Sequence, residues 1–281
     1  MTTTDVSIVM PCYNDGRYIR EAIGSVHLSE HPNVELIVID DGSDDAETKA
    51  VLKDLTDKQI RVLHTAHIGP SGARNEGIRQ AAGDYILPLD ADDRIDAVYI
   101  SEAMKTLEER PDVGVVYCHA ELFGEKNGRW ELPDYSFERM LVENLVFVTA
   151  MFRKADWEAV GGFRTDMKEG MEDYDFFIGI LALGKSIIQL PGVYFFYRIK
   201  KKSRTTEFLR DAEAVKRAFH QIYEHHAVFY QAHAQDYAEA LRNELIQQKY
   251  EKDRILRLLG GLNRIREFGP VRKLARKLLG R

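Results

Sequence analysis

The chain has 281 residues, of which 44% are hydrophobic and 30% are charged, enough apolar material for one large domain or two smaller ones. Its 20 Gly, 8 Pro and 2 Cys exclude collagen-like, disulfide-scaffold and wholly disordered proteins. The net charge of −6 is unevenly distributed, because residues 251–281 contain ten Lys or Arg against three Asp or Glu, whereas residues 1–250 contain 29 basic and 42 acidic residues.

The first half of the chain alternates short apolar runs with stretches whose apolar residues recur at helical spacing. The runs predict parallel strands at 6–10, 34–39, 60–63, 85–89 and 113–117. The stretches between them predict helices at 17–28, after a cap at Ser43 or Asp44, at 71–82 and at 95–109. This alternation is typical of a doubly wound, mostly parallel α/β sheet, which binds ligands beyond the carboxyl ends of its strands.

The second half changes in character. A hairpin is predicted over 121–132, around the turn dipeptide Asn127-Gly128, and a further strand over 146–152. A turn at 161–163 precedes a helix over 173–183, and residues 187–197 predict two short strands that are interrupted at Pro191-Gly192. From residue 206 onward the pattern is helical, which predicts a C-terminal helical extension.

The ends of the predicted strands carry polar and acidic clusters, at 11–15, 40–43 and 90–93. Either acidic cluster could cap a helix, because Asp is favoured at a helix N-terminus. Two such clusters at neighbouring strand ends, however, concentrate negative charge that a cation or a donor-rich ligand would have to balance. Because Mg²⁺ takes one or two carboxylates together with phosphate oxygens, the pair of clusters favours a metal and nucleotide site.

Two further segments bear on this site. Residues 69–75 open a helix with small residues and Arg74, which could contact a phosphate or a base edge. Neither G-x-G-x-x-G nor G-x-x-x-x-G-K-[ST] is present, which disfavours a dinucleotide dehydrogenase and leaves a phosphorylated ligand to be held largely through a metal. Glu172 and Asp173 lie at the start of a predicted helix, where Asp173 either complements the helix dipole or, in an acidic pocket, accepts a proton.

The order of these motifs resembles glycosyltransferase family 2. The matching segments are residues 7–14 (SIVMPCYN), 40–43 (DDGS), 73–77 (ARN-x-G), 90–93 (DADD), 161–163 (GGF) and 172–173 (ED), within a likeness that covers roughly residues 5–205. The resemblance implies the GT-A fold, with a nucleotide-binding half at 1–118 and an acceptor half at 119–205, followed by the helical region 206–281. It also implies a metal-dependent, inverting enzyme that moves a sugar from a nucleoside-diphosphate sugar, expected to be a UDP-sugar, to a hydroxyl of a glycan or lipid-linked acceptor in bacterial surface polysaccharide synthesis.

The resemblance implies a role for each matching residue. The residues implied to contact the nucleotide are Pro11, Tyr13, Asp40, Asp41, Arg74 and Asp90. Asp92 is implied to be the ligand of Mn²⁺ or Mg²⁺, and Asp173 is implied to be the base that deprotonates the acceptor hydroxyl. Contacts with the acceptor or the donor phosphates are implied for Glu172, Arg198, Ser203 and Arg204.

The chain departs from the family pattern at two places. Lys200-Lys201-Lys202 stands where many members have a histidine, so the resemblance supports no histidine ligand to the metal in this loop. His67 stands where many members have asparagine or glycine, which leaves the contacts of the base open there.

Two other functions stay open from the residues alone. A nucleotidyltransferase would need a basic triphosphate-binding loop after the first strand, where no Lys or Arg precedes Arg17. A non-catalytic nucleotide-sugar-binding module would not need Asp92 and Asp173, so their presence counts against it. No nucleic-acid partner is expected.

The chain has no apolar run of the roughly 18–20 residues that a spanning helix needs, and its first residues lack the regions of a secretion signal. We therefore expect a cytoplasmic protein in which Cys12 and Cys118 are reduced core thiols. The adjacent His225 and His226 are expected to point apart on a helix, so a zinc site is not expected.

The C-terminal region predicts association with a partner. Leu241, Leu245 and Ile246 form an apolar stripe that predicts packing on another helix or on a second subunit, which would make a homo-oligomer. Residues 270–281 combine apolar residues at helical spacing with interleaved basic ones. This pattern predicts either a peripheral contact with the anionic inner face of the cell membrane or packing against the acidic body or another subunit.

Overall fold

The computed structural model of the chain describes residues 4–29, 31–57, 59–201 and 203–267, with residues 258–267 described by their backbone. The chain divides into two compact units, residues 1–232 and residues 233–281. The predicted boundary at residue 205 separates the family-like region from the rest of the chain and stays a prediction.

The first unit begins with four parallel strands and the helices that connect them. In chain order these elements are β1 (Val6–Cys12), α1 (Gly16–His27), β2 (Val34–Asp40), α2 (Ala46–Lys53), β3 (Ile60–His64), α3 (Gly69–Gln80) and β4 (Tyr85–Pro88). The strands lie in the order β3-β2-β1-β4 and run parallel, as the alternating pattern predicts. Helix α3 packs so closely on the sheet that a Cβ at Gly77 would lie 2.6 Å from side-chain atoms of Val9 and Ile39.

The sheet continues through the second half of this unit. The further elements are β5 (Arg94–Ile95), α4 (Tyr99–Glu109), β6 (Val113–Gly124), β7 (Gly128–Arg129), α5 (Phe137–Met140), β8 (Met151–Arg153), α6 (Lys154–Val160), α7 (Glu172–Ala182) and β9 (Ser186–Ile199). Over the described residues the strand order is β3-β2-β1-β4-β8-β6-β9-β5, with β7 paired to β6. Strand β8 is antiparallel to β4 and β6, and β5 is antiparallel to β9, whereas β6 and β9 are parallel. The predicted mostly parallel α/β sheet is confirmed, with antiparallel β8 inserted into it.

Two strand predictions are wrong in extent. The strand predicted over 146–152 is present only as the short β8, because residues 146–150 bury apolar side chains in irregular backbone. A short buried apolar run can form a strand or another buried segment, so its hydrophobicity alone does not distinguish the two. The two strands predicted over 187–197 form the single strand β9, and Pro191 lies at a shift of its register against β6, where its missing N–H is tolerated.

Other local predictions hold. Strands β6 and β7 form the predicted hairpin, with Leu122 opposite Gly128. Gly161 and Gly162 adopt φ values of 82° and 80°, which the predicted turn requires. Helix α4, predicted from residue 95, begins at Tyr99, because the two residues of β5 pair with β9 instead. Both cysteines are free and buried, as predicted.

After β9 the chain is helical, as predicted. The helices are α8 (Arg204–Arg210), α9 (Ala212–His225) and α10 (Ala227–Ala232) in the first unit and α11 (Ala234–Glu267) in the second. The stripe residues Leu241, Leu245 and Ile246 are exposed on α11, and their packing on a partner stays a prediction. The basic segment 270–281 lies outside the described residues. Within the described part of the chain, no helix combines the length and apolarity needed to cross a membrane.

The two adjacent histidines at the end of α9 contact the same carboxylate, so the prediction that they point apart is wrong. His225 Nδ1 lies 2.7 Å from Asp175 Oδ1, and His226 Nε2 lies 3.2 Å from the same atom. The backbone leaves the helical path at His226, which lets both rings turn toward α7. Burial raises the pKa of Asp175, but the hydrogen bonds with His226 and His225 outweigh burial and hold it below its usual range. This cluster joins α9 to α7.

Candidate active site

A cleft of about 700 Å³ lies beyond the carboxyl ends of β1, β2 and β4, where an α/β sheet is expected to bind its ligand. Its wall contains most of the predicted site residues: Pro11, Tyr13, Asp41, Arg74, Asp90, Asp92, Glu172, Asp173, Ser203 and Arg204. The structure places the other two, Asp40 and Arg198, behind this wall, where they support residues that line it.

One end of the cleft carries an open pair of rings. The centres of the Tyr13 and His67 rings are 4.2 Å apart with an interplanar angle of 35°, and Pro11 lies beside them in the wall. Tyr13 is 42% exposed, so the pair presents aromatic surface to the cleft. Flat aromatic faces of this kind are suited to stacking on a nucleobase.

Asp41 is tied into the loop that precedes α3. Its Oδ1 accepts hydrogen bonds from the Thr65 hydroxyl (2.6 Å) and the Ile68 N–H (2.7 Å), and its Oδ2 accepts one from the Gly69 N–H (2.8 Å). A carboxylate has about four acceptor positions, so three are used by the loop and one can face a ligand. The next residue, Gly42, has a φ of 73°, and a Cβ there would lie 2.9 Å from the His67 nitrogen, so this turn requires glycine.

Asp40 supports the same turn from behind the cleft. Its Oδ1 accepts a hydrogen bond from the Ser43 N–H (3.0 Å), and its Oδ2 lies 3.0 Å from His64 Nδ1. Burial raises the pKa of Asp40, but the hydrogen bonds from Ser43 and His64 outweigh burial and lower it below its usual value. The carboxylate therefore fixes the turn that carries Asp41.

Arg74 joins the two halves of the cleft. Its Nη2 donates to Asp90 Oδ1 (2.9 Å) after β4, and its Nη1 donates to Glu172 Oε1 (3.0 Å) at the start of α7. Only 4% of the residue is exposed, and its Nε has no hydrogen-bond partner among the described residues. Burial lowers the pKa of Arg74, but the carboxylates of Asp90 and Glu172 raise it by more, so the guanidinium stays charged.

Two motifs that are separate in the sequence meet behind Arg74. The amide of Asn75 donates from Nδ2 to the Phe163 carbonyl (2.7 Å) and accepts on Oδ1 from the Phe163 N–H (2.9 Å). The same oxygen accepts from Trp157 Nε1 at 3.2 Å. These contacts attach α3 to the Gly161-Gly162 turn, so the helix that carries Arg74 is held against the segment leading to α7.

Glu172 is the buried anion between two arginines. Besides those of Arg74, it accepts hydrogen bonds from Arg204, whose Nη1 donates to Oε1 at 3.0 Å and whose Nη2 donates to Oε2 at 3.3 Å. Burial raises the pKa of Glu172, but Arg74 and Arg204 outweigh burial and bring it below its usual range. Ser203 caps α8 by accepting a hydrogen bond from the Thr206 N–H, so α8 starts at the cleft with Arg204 directed at Glu172.

Asp173 is the carboxylate whose environment suits a proton acceptor. It is half-buried, and its Oδ1 accepts from the Tyr174 N–H (2.8 Å) and from Asn144 Nδ2 (3.3 Å). Burial and the adjacent Glu172 charge raise the pKa of Asp173 to about 6. A carboxylate with this pKa is largely ionised at neutral pH and accepts a proton more readily than an ordinary aspartate.

The turn after β4 concentrates negative charge next to one lysine. Lys200 Nζ lies 2.7 Å from Asp92 Oδ2 and 3.0 Å from Asp15 Oδ1. Burial raises the pKa of Asp92, Lys200 lowers it and Asp90 raises it again, with a net value above the usual range. The pKa of Asp93 is raised well above its usual value by burial and by the carboxylates of Asp92 and Asp90.

Arg198 holds this turn from behind. Its N–H donates to Asp93 Oδ1 (2.7 Å), and its Nε donates to the Asp92 carbonyl (2.7 Å). Its guanidinium carbon lies 4.2 Å from the centre of the Phe123 ring, and Nη2 pairs with Glu21. Arg198 is therefore placed to position Asp92, and the predicted contact of its side chain with a phosphate stays a prediction.

The wall of the acceptor half is aromatic. Trp130 lies 4.8 Å from Tyr197 and 6.0 Å from Phe147 between ring centres, and Phe147 lies 4.4 Å from Phe195. All four line the cleft. Residues 144–148 connect this wall to Asp173, because Asn144 donates to the Asp173 carboxylate.

The acidic turn fits a divalent cation that is completed by its substrate. Among the described residues, no three His, Cys, Asp or Glu side chains form a cluster that would hold a metal by itself. Mg²⁺ and similar hard cations, however, use one or two carboxylates together with substrate phosphate oxygens. Asp92, with Asp90 beside it, supplies oxygen donors of that kind at the cleft wall.

Some of these residues carry no recognisable signal in the sequence. Asn144 lies two residues before the predicted strand 146–152, and nothing in the local pattern indicates its hydrogen bond to Asp173. Lys200 is visible as part of a basic run, but its partner Asp92 lies 108 residues earlier. Trp130 and Phe147 are apolar residues of the kind that most often enter a core.

The fold and the cleft define the class. This is an α/β protein whose cleft carries aromatic rings at one end, an Asp-x-Asp turn and an aspartate with a raised pKa, as in glycosyltransferases. The family model of Glycosyl transferase family 2 matches residues 7–185, and the chain belongs to this family. Membership supports a transferase enzyme over the two alternative functions, a nucleotidyltransferase and a non-catalytic nucleotide-sugar-binding module.

Curated relatives are named as glycosyltransferases. An uncharacterized glycosyltransferase of Rickettsia typhi is 30% identical over 237 residues, which cover 80% of this chain and 70% of the relative. An uncharacterized glycosyltransferase of Rickettsia felis is 43% identical over 108 residues, 38% of this chain. The matched part spans only 18% of the Rickettsia felis protein, whose length far exceeds that of the shared region.

Solved structures show the same fold. S. aureus TarS 1-349 in complex with UDP superposes with a TM-score of 0.57 at 23% identity, over 73% of this chain and 63% of that one. The mannosyltransferase PcManGT from Pyrobaculum calidifontis, in complex with GDP-Man and Mn²⁺, superposes with a TM-score of 0.58 at 19% identity, over 96% of this chain and 82% of that one. The likeness confirms the predicted GT-A-like fold.

Proposed function

We propose that this chain transfers a sugar from a nucleoside-diphosphate sugar to a hydroxyl group of an acceptor, with inversion at the anomeric carbon. One observation carries the proposal: Asp173, with a pKa raised to about 6, lines the same cleft as the Asp90-x-Asp92 turn and the Tyr13–His67 ring pair. In the proposed reaction, Asp173 accepts the proton, the Asp90-x-Asp92 turn holds the cation, and the ring pair stacks on the nucleobase of the donor.

The donor is proposed to be a UDP-sugar. The base stacks on Tyr13 beside Pro11, and the remaining acceptor position of Asp41 takes a base N–H. Asp40 keeps Asp41 in place, and Asp90 reaches the ribose. Support comes from TarS, which is a structural neighbour solved with UDP. PcManGT was solved with GDP-Man, so the panel of nucleotide sugars described below must decide which nucleobase the donor carries.

The leaving diphosphate needs neutralising charge. When bound at Asp92, Mn²⁺ or Mg²⁺ would act as a Lewis acid that stabilises the leaving nucleoside diphosphate. Arg198 holds the Asp92 carbonyl, and Arg204 and Ser203 lie where α8 begins at the cleft, within reach of donor phosphates. The Mn²⁺ in the PcManGT structure supports this cation.

The acceptor half supplies the base and a surface for the sugar. Asp173 takes the proton of the attacking hydroxyl, and Glu172 fixes the start of α7 through Arg74 and Arg204. The Trp130–Tyr197 wall offers apolar faces on which the carbon face of a sugar ring can pack. We therefore propose a glycan or a lipid-linked glycan as acceptor, within the synthesis of a bacterial surface polysaccharide by an enzyme at the inner face of the membrane.

The test begins with a panel of nucleotide sugars assayed for Mn²⁺-dependent hydrolysis and then for transfer. We expect Asp173→Asn to lower transfer by about 10³-fold, the middle of the range for loss of a general base, while UDP affinity stays unchanged. In the wild type, the rate should fall tenfold per pH unit below about 6, because protonated Asp173 cannot accept a proton.

The matched control is Asp166→Asn, which removes an exposed carboxylate from the segment before α7 and should transfer at the wild-type rate. Full transfer by Asp173→Asn would overturn the assignment of the base. An anomeric configuration retained in the product, read by NMR, would overturn the inverting mechanism.

A further inference from the structure

Lys200 is held between two carboxylates at the edge of the cleft. Its ammonium contacts Asp92 at 2.7 Å and Asp15 at 3.0 Å, and it lies 5.7 Å from the centre of the Tyr18 ring. The side chains of Lys200 and Asp92 are only 20% and 14% exposed. Limited exposure reduces screening by water, so this pair is stronger than a surface ion pair.

Lys200 differs from Arg74 and Arg198 in how it is anchored. Arg74 is buried between Asp90 and Glu172, and Arg198 is fixed by its backbone and by the Phe123 ring. Lys200 instead follows the last residue of β9, and its ammonium is carried on a long flexible stem. It can therefore change partners without a movement of the sheet.

The ammonium occupies the carboxylate that a divalent cation would use. In the absence of donor, a cation that approaches Asp92 competes with Lys200, which contacts Oδ2, and places positive charge beside an ammonium whose remaining partner is Asp15. When a diphosphate is present, its oxygens offer the ammonium another anion within the same cleft. Cation and nucleotide then assist each other, although each alone binds poorly.

We propose that Lys200 is a built-in counter-ion that occupies Asp92 in the donor-free enzyme and yields Asp92 to the divalent cation when the donor diphosphate arrives. This inference rests on the proposed cation at Asp92. It gives one lysine of the basic run 200–202 a role of its own: Lys200 couples cation binding to donor binding and is not itself a ligand of the cation.

The test measures Mn²⁺ binding directly by calorimetry on donor-free protein. We expect Lys200→Met to bind Mn²⁺ about tenfold more tightly than the wild type, which corresponds to about 1.4 kcal/mol. Lys201→Met removes the same charge from the exposed neighbouring residue and should match the wild type. Addition of UDP should strengthen Mn²⁺ binding in the wild type by a larger factor than in Lys200→Met.

The outcomes separate the two proposals. Equal Mn²⁺ affinities for Lys200→Met and Lys201→Met, or an equal gain from UDP in wild type and Lys200→Met, would overturn the role of Lys200. Wild-type Mn²⁺ affinity in Asp92→Asn with UDP present would overturn the cation site itself. Should the methionine variant fail to fold by circular dichroism, Lys200→Gln keeps most of the length with an uncharged polar head and gives the same comparison.

Discussion

The acidic clusters at the ends of β2 and β4 look alike in the sequence, yet the protein neutralises them by different means. After β2, Asp41 accepts two backbone N–H groups and one hydroxyl, and Asp40 accepts the Ser43 N–H. After β4, Asp90 and Asp92 are balanced by the side-chain cations of Arg74 and Lys200. The first cluster is bound mainly by backbone N–H groups, with His64 beside Asp40, and Asp90 and Asp92 of the second are bound by charged side chains.

This difference indicates which cluster can exchange its partner. Backbone N–H groups belong permanently to the fold, so hydrogen bonds to them lower the free energy of the folded state and leave Asp41 one acceptor position for a ligand. Burial and the charge of Asp90 raise the pKa of Asp92, and a cation that binds beside it stabilises its ionised form. The β2 cluster is thus expected to contribute mainly to stability, and the β4 cluster mainly to chemistry.

The largest expected effect comes from the β4 cluster. Asp92→Asn removes the charge that holds the cation, and we expect transfer to fall by about 10³-fold, on the order of the several kcal/mol that a Lewis acid supplies. Binding of UDP should lose its dependence on Mn²⁺, as measured by calorimetry with and without the metal. The unfolding temperature should change little, because Arg198 holds this turn through the backbone carbonyl of residue 92.

The β2 cluster is expected to respond in the opposite way. Asp41→Asn places an amide donor against the Gly69 N–H or the Ile68 N–H, so one buried hydrogen bond is lost and two donors face each other. We expect a loss of about 1–3 kcal/mol in the free energy of unfolding, measured with urea. Dependence on Mn²⁺ should persist in this variant.

The control for this variant is Asp84→Asn, an exposed aspartate just before β4, which should leave the free energy of unfolding unchanged. If Asp41→Asn instead abolishes Mn²⁺ dependence without loss of stability, the two clusters do not differ as proposed. Their distinction would then lie only in the partners seen in the donor-free protein.

The features that could be predicted from the sequence are those set by local patterns. Strands β1 to β4 appear as short apolar runs, and the residues at their ends follow from where the runs stop. The order of six motifs then identified the family. Most of the predicted site residues line one cleft because parallel strands end at the same edge of the sheet.

The features that could not be predicted depend on long-range pairing. Lys200 reaches Asp92 only because β9 continues past Pro191 and ends beside the β4 turn, whereas the sequence indicated two separate strands. Asn144 reaches Asp173 from irregular backbone just before the predicted strand 146–152, where no local pattern indicates the contact. The insertion of antiparallel β8 between β4 and β6 likewise has no local signal, because its position depends on pairing partners far away in the chain.

The smallest expected effect tests whether the β2 cluster stabilises the fold through its charge. The pKa of Asp40 is lower in the folded protein than in the unfolded chain, so the folded state binds fewer protons there. The resulting stability is present above the unfolded pKa, near 3.9, and is lost as the pH falls through the lowered folded value. Asp40→Asn should therefore unfold more easily than the wild type at pH 7 and lose less stability between pH 5 and pH 3, as followed by thermal unfolding. If the variant and the wild type lose equal stability between pH 5 and pH 3, the charge of Asp40 does not stabilise the fold. The backbone hydrogen bonds to Asp41 alone would then distinguish the β2 cluster from the β4 cluster.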